Sequence, residues 1–93
     1  MTALTLDDFQ PRLGETFAAE SEAGSAALTL IEATPLADSG REGGSFRLEF
    51  AGPLQPVLRQ AIYAFPLGEA RADIFIVPIG AKGDTMRYEA IFF

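Results

Sequence analysis

Ser45–Ala51 (SFRLEFA) is the stretch of this chain that decides its fold, because apolar and polar side chains alternate along it without a break. One face of the segment carries three apolar side chains, those of Phe46, Leu48 and Phe50. Arg47 and Glu49 fall on the opposite face. A two-residue period of this kind is typical of a strand with one buried and one solvated face. It therefore predicts an antiparallel sheet.

Five further segments around this strand are predicted to be extended. They are Thr16–Glu22, Ala26–Thr34, Gln60–Phe65, Ala72–Ile79 and Met86–Phe93. Within the fourth of these, residues 74–77 are apolar on both faces, which predicts a central strand covered on both sides. The last two segments are joined by a short glycine-containing turn, the pattern of a hairpin. The polar, glycine-rich stretch Leu36–Gly44 is predicted to be a loop.

The beginning of the chain predicts a short helix. Thr5 is a suitable N-cap residue, and Asp8 stands three positions later, as in a capping box. Pro11 limits the element to about two turns, and Gly14 is a natural stop. The apolar residues Leu6, Phe9 and Leu13 are expected to cover one end of the sheet.

The predicted fold class is mainly β: a small antiparallel rolled sheet of about six strands with a short N-terminal helix, forming either a barrel or a compact sandwich. Parallel strands would need helical crossovers, for which the chain has no spare length. Residues 1–93 are predicted to form a single domain, since this length supports one small core. Five phenylalanines are expected to point into that core: Phe46, Phe50, Phe65, Phe75 and Phe92.

The composition excludes several classes of function. The chain has no histidine and no cysteine, so imidazole bases, thiol nucleophiles and most transition-metal sites are unavailable. The single lysine, Lys82, stands in a turn where it should remain charged. We therefore predict that the chain is not an enzyme and has no catalytic, cofactor-binding or metal-binding residues. With 13 acidic and 7 basic residues its formal net charge is −6, which disfavours nucleic acid and anionic membranes as partners.

We predict that the chain binds a protein partner, and we expect the binding site at an unpaired sheet edge. Residues 26–33 carry only one charge, which makes Ala27, Thr29 and Ile31 candidates for such an edge. The apolar chain end adds Ile91 and Phe93. A second copy of the chain is one candidate partner. Because small secreted domains usually rely on disulfides, a cytoplasmic location is predicted.

The chain also resembles a small uncharacterised bacterial domain family whose members share six short motifs. The matching segments are Leu6–Phe9 (LDDF), Leu13–Phe17 (LGETF), Phe46–Pro53 (FRLEFAGP), Gln60–Tyr63 (QAIY), Ile74–Ile79 (IFIVPI) and Met86–Phe92 (MRYEAIF). The order and spacing of the motifs carry the resemblance, which spans essentially the whole chain. Ala61 departs from the family, in which glycine commonly follows Gln60.

Domains of this family are often encoded near phage-tail-collar-like proteins, so the resemblance implies a phage-tail-like or surface-appendage context and a tail-collar-like partner. It implies no catalytic residues. Two functions remain open: a non-enzymatic interaction or accessory module, or a small-ligand-binding or enzymatic domain with a pocket between sheet and helix. Composition and size favour the first.

Overall fold

The computed structural model of the chain describes residues 4–36 and 44–92. Two 3₁₀ turns, Leu6–Asp8 and Gln10–Arg12, precede six strands. The strands are β1 (Thr16–Ser21), β2 (Gly24–Pro35), β3 (Phe46–Gly52), β4 (Ala61–Leu67), β5 (Ala70–Lys82) and β6 (Thr85–Phe92). Each of the six predicted strand segments is confirmed, although β2 and β5 are longer than the alternation indicated. Most of the predicted loop at 36–44 lies outside the described residues.

The six strands form one closed antiparallel barrel, in the order β1-β2-β3-β6-β5-β4. The ring closes where Glu20 of β1 lies opposite Ala64 of β4. The antiparallel, mainly β class is thus confirmed, and the choice between barrel and sandwich is resolved in favour of the closed ring. A closed ring gives every strand two neighbours, which removes the open edges that a flat sheet would have.

The core is the inside of this ring, and the period-2 alternation fills it. In β3 burial follows the sequence pattern, with the odd-numbered Arg47 and Glu49 outside. The interior holds a chain of aromatic contacts: the ring centroids of Phe50 and Phe65 lie 5.0 Å apart, and those of Phe17 and Phe50 lie 6.4 Å apart. Burial of each such side chain contributes about 1.5–3 kcal/mol to the free energy of unfolding.

The N-terminal turns cover one end of the ring through Phe9, whose side chain is buried. Its ring centroid lies 5.8 Å from that of Phe46 and 6.0 Å from that of Phe92. The predicted capping contact is present, since the Thr5 backbone N–H donates to Asp8 Oδ2 at 2.8 Å. The helix itself is shorter and tighter than expected, because Pro11 cannot continue the hydrogen-bonding pattern of the first turn.

Leu13 does not cover the barrel end, and that prediction is wrong. Its side chain is 48% exposed. Leu6 and Phe9 stand three residues apart, which places them on the same side of a 3₁₀ turn. Leu13 comes after the second turn, where the Gly14 backbone N–H already donates to the carbonyl of Leu30 in β2.

Phe75 was expected to point inward, on a strand covered on both faces; both predictions are wrong. Ile74 and Ile76 are buried, but Phe75 between them is 50% exposed. A ring formed by a single sheet has only one dry face, so alternate residues of β5 must point outward whatever their polarity. The other four predicted rings, of Phe46, Phe50, Phe65 and Phe92, do pack in or against the core.

Candidate functional site: an apolar pair on the outer face of β4 and β5

The residues predicted as an interaction edge on β2 lie in a strand with neighbours on both sides. Ala27 is opposite Ala18 of β1, and Thr29 lies between Thr16 of β1 and Ala51 of β3. The Oγ1 atoms of Thr16 and Thr29 share a hydrogen bond of 2.8 Å on the outside of the ring. The premise of an open edge is therefore wrong here, because β2 is hydrogen-bonded to β1 on one side and to β3 on the other. The role of these residues in binding stays a prediction.

The other predicted interaction residues are dispersed. Ile31 is exposed and lies at the register shift between Leu30 and Glu32, where pairing with β3 is irregular. Ile91 is half-buried in β6, opposite Arg47 of β3. Phe93 lies outside the described residues. Among the described residues, Ile31 and Ile91 are not neighbours, because β3 lies between their strands.

The described outer surface instead offers Ile62 and Phe75, which we call the β4–β5 apolar pair. They lie directly opposite each other in the antiparallel ladder, and their side chains are 60% and 50% exposed. Opposite residues of such a ladder have Cβ atoms about 5 Å apart, so the two side chains form one continuous apolar patch. Single exposed apolar residues are ordinary, but an adjacent aliphatic–aromatic pair is a feature of binding surfaces.

The register that creates this pair is set by a tight turn. Leu67 and Ala70 are paired, so only Gly68 and Glu69 form the loop between β4 and β5. Gly68 has a φ of 63°, the left-handed region that two-residue hairpin loops require. This turn could have been recognised in the sequence, and counting back from it would have placed Ile62 opposite Phe75.

A row of acidic residues borders the apolar pair on the side towards the turn. Ala64 of β4 lies opposite Glu20 of β1 on one side and opposite Asp73 of β5 on the other. Both carboxylate side chains belong to exposed residues, and Ala64 between them is small. Within the described part of the chain, neither carboxylate makes an ion pair.

The outer face of β2, β3 and β6 is different in character, because its charges are paired with one another. Glu32, Glu49 and Glu89 form a row across the three strands. Arg47 donates to all three of these carboxylates, at 2.6 Å for Glu49 and 2.6 Å for Glu89. Arg87 adds a bond of 3.1 Å to the second oxygen of Glu49.

The electrostatics of this network favour the charged forms of Arg47 and Glu49. The hydrogen bond from Arg47 lowers the pKa of Glu49, and the bond from Arg87 acts in the same direction. In return, the hydrogen bonds to Glu49 and Glu89 raise the pKa of Arg47. Carboxylates that are already satisfied by arginines are poorly suited to proton transfer, so this cluster stabilises the sheet rather than offering acid–base chemistry.

A shallow depression of about 300 Å³ lies beside this network, at the hairpin of β5 and β6. Its lining includes Glu49, Arg87 and Lys82. The carboxylate of Glu49 faces the same space as the two cations, and Arg87 already donates to Glu49 and to Thr85 Oγ1. Two of the charged groups that line the depression, Glu49 and Arg87, are therefore already bonded to each other.

Three structural findings bear on chemistry and membranes. In residues 4–36 and 44–92 no group of three or more acidic, histidine or cysteine side chains could hold a metal ion. Over the same ranges, every buried side-chain nitrogen or oxygen has a hydrogen-bond partner. None of the helices described is long and apolar enough to cross a membrane.

Comparison with known proteins places the chain in a family without assigning it an activity. Neither the curated proteins nor the solved structures contain a match to the chain. A family model described as "Domain of unknown function (DUF6916)" matches residues 4–92, which include all six strands and the N-terminal turns. The chain therefore belongs to the DUF6916 family of domains of unknown function.

Proposed function

We propose that this domain is a non-enzymatic protein-interaction or accessory module that binds a protein partner through the outer face of β4 and β5. The observation that carries the proposal is the β4–β5 apolar pair, Ile62 and Phe75, exposed side by side. Neither side chain contributes to the inside of the ring, where Tyr63, Phe65 and Ile74 from the same two strands are buried. An aromatic ring and a branched aliphatic chain on a rigid sheet are suitable anchors for an interface.

The rest of the described surface supports this choice of face. Across β2, β3 and β6 the charges already satisfy one another, so a partner would have to break short hydrogen bonds to use them. Among the described residues, none forms a hydrogen bond or ion pair with a side chain of the β4–β5 apolar pair. Removing it from water on binding is favourable in proportion to its area.

The family resemblance suggests the biological setting of this interaction. We place the domain in the cytoplasm, in a phage-tail-like or surface-appendage system, with a tail-collar-like protein encoded nearby as the partner. The location rests on the absence of cysteine from the sequence, and the appendage system and its partner rest on the resemblance. The geometry contributes only the surface that the partner would contact.

The alternative function, ligand binding or catalysis in a pocket between sheet and helix, is not favoured by a specific observation. Phe9 fills the space between the N-terminal turns and the sheet by packing against Phe46 and Phe92. The depression at the β5–β6 hairpin lies on the outside of the ring, not between sheet and helix, and two of its charged groups, Glu49 and Arg87, are bonded to each other.

The proposal can be tested by measuring binding of the purified domain to the neighbouring tail-collar-like protein by isothermal titration calorimetry. Phe75→Ser should weaken binding at least about tenfold, the effect of losing a central interface anchor. Leu54→Ser is the matched control, because Leu54 is 44% exposed but lies in the connection between β3 and β4. Binding that is unchanged in Phe75→Ser, or equally weakened in both folded variants, would overturn the assignment of this face.

A further inference from the structure

We infer that the partner bound at the β4–β5 apolar pair is a cationic protein segment, in which a basic side chain stands two residues away from an apolar anchor in extended conformation. This inference rests on the proposed function and adds the chemistry of the partner. It is carried by the carboxylates of Glu20 and Asp73 beside the apolar pair, neither of which forms an ion pair with another described residue.

The positions of the two carboxylates follow from the ladder. Glu20 and Asp73 lie on either side of Ala64, one strand away in each direction. Neighbouring strands are about 4.8 Å apart, so the two Cα atoms are separated by about 10 Å. A cation above Ala64 would lie between both carboxylates, and the small alanine side chain leaves room for it.

The distance from this position to the apolar pair defines the partner's pattern. Ala64 and Asp73 are each two residues from Ile62 and Phe75 along their strands. Two residues of a strand span about 6.7 Å and bring side chains to the same face. An extended partner with an apolar residue and a lysine or arginine two positions apart matches this spacing.

Arg71 is a positive charge in the same region, and it would repel a cationic partner. Its position nevertheless leaves a cation favoured beside the apolar pair. It stands opposite Pro66, one further step towards the turn. Arg71 is therefore four residues from Phe75, whereas Asp73 is only two residues from it. On the side towards the turn, the charged group of β5 nearest the apolar pair is thus acidic. The chain's net charge of −6 strengthens the attraction for a cationic partner at longer range.

A second copy of the domain fits this face poorly. In a two-fold dimer the same patch meets itself, so both copies would bring a Glu20–Asp73 acidic row into one interface. Like charges brought together in this way oppose association. The inference therefore commits to a different, basic partner.

The test uses a pair of synthetic dodecapeptides that differ only in charge. In one, phenylalanine and arginine alternate on one side of the extended chain; in the other, glutamate replaces each arginine. Binding to the isotopically labelled full chain is followed by NMR titration at low and at physiological salt. We expect the arginine peptide to bind with shifts centred on Phe75 and Asp73, and to bind more weakly as salt is added.

Variants locate the contact. Phe75→Ser should reduce the affinity for the arginine peptide at least about tenfold. Asp73→Asn should reduce it about threefold at low salt, as expected for an exposed ion pair. Asp84→Asn is the control, because it removes the same charge in the turn between β5 and β6 and should leave binding unchanged. Thermal unfolding of every variant checks that it is folded.

The outcomes separate this inference from the proposed function. If both peptides bind equally at Phe75, or if the domain self-associates through Phe75, the face is an interface but its partner is not selected for positive charge. That result overturns the inference alone. A different result would be that Phe75→Ser and Asp73→Asn both bind the arginine peptide as tightly as the wild-type chain does. Attraction to the overall negative charge would then explain binding, and both the inference and the assigned face would be wrong.

Discussion

The phenol oxygen of Tyr88, buried inside the ring on β6, accepts a hydrogen bond of 2.8 Å from the backbone N–H of Leu58. Leu58 belongs to the connection between β3 and β4, so the bond ties this irregular segment to a strand thirty residues away. Tyr63 acts on the same connection from β4, donating through its hydroxyl to the carbonyl of Arg59 at 2.8 Å. Both tyrosine side chains are fully buried, so their hydroxyl groups depend on these bonds.

Tyr88→Phe should lower the free energy of unfolding by about 1–3 kcal/mol, because it leaves the buried N–H of Leu58 without a partner. Tyr63→Phe is the matched comparison and should have the smaller effect, about 1 kcal/mol, since Arg59 is exposed and water can reach its carbonyl. Urea denaturation of both variants measures the difference. Equal losses of stability would show that the hydrogen bond to Leu58 contributes no more to the free energy of unfolding than the hydrogen bond to Arg59.

Gly52→Ala should also destabilise the barrel, by about 1–3 kcal/mol, because the interior has no room for another carbon. A Cβ at Gly52 would lie 2.6 Å from the Cδ2 atom of Leu28. Leu28→Val shortens the facing side chain, so the double variant should be less destabilised than the sum of the two single variants. Simple additivity in denaturation experiments would contradict the predicted collision.

The sequence was sufficient to predict the strands because each strand's alternation is local. Ser45–Ala51 could be recognised from its own residues, and ring closure then buried the face that its pattern indicated. Phe75 could not be placed in this way. A strand that is apolar on both faces fits a central strand covered on two sides, and equally a barrel strand with an apolar outer surface.

The candidate site depends on strand register as well as on alternation. Ile62 and Phe75 become neighbours only through the register of β4 with β5, which the two-residue turn at 68–69 fixes. To predict the acidic row, one must know two strand registers, that of β4 with β5 and that of β1 with β4. Alternation determines which face a residue occupies, but not which residue lies opposite it.

The arginine network predicts how stability depends on pH. The pKa of Glu49 is lower in the folded chain than its ordinary value of 4.5, chiefly because Arg47 donates a hydrogen bond to it. The stabilisation is therefore complete above the ordinary value and is lost as the pH falls through the lowered pKa of the folded state. Thermal unfolding between pH 7 and pH 2 should show this loss in the wild-type chain.

Arg47→Met should reverse this dependence. Without the guanidinium, Glu32, Glu49 and Glu89 form a row of like charges, so the variant should be less stable at pH 7 by about 1 kcal/mol or more. Protonation then relieves the repulsion, and stability should rise as the pH falls through the carboxylate range. Arg87→Met is the control: it removes the 3.1 Å bond to Glu49 and the bond to Thr85 Oγ1 but leaves Arg47 in place, so it should keep the wild-type direction. Parallel curves for all three proteins would contradict a role for Arg47.

Comparing Thr29→Lys with Phe75→Lys tests which outer face of the barrel binds the partner. Both substitutions place a positive charge on the outside of the ring, and neither side chain is part of the buried core. Thr29→Lys also removes the hydrogen bond between Thr29 and Thr16, so its thermal midpoint must be measured. Exposed substitutions usually change the free energy of unfolding by about 0.5 kcal/mol or less.

The expected result is that Phe75→Lys loses binding to the tail-collar-like protein while Thr29→Lys retains it, with both variants folded. A lysine at position 75 removes the aromatic anchor and repels the cationic partner that the acidic row attracts. The opposite result, with binding lost only in Thr29→Lys, would place the interface on β1 and β2, where the sequence had suggested Ala27, Thr29 and Ile31. That outcome would show that small, weakly charged residues on a paired strand can form the interface without an open sheet edge.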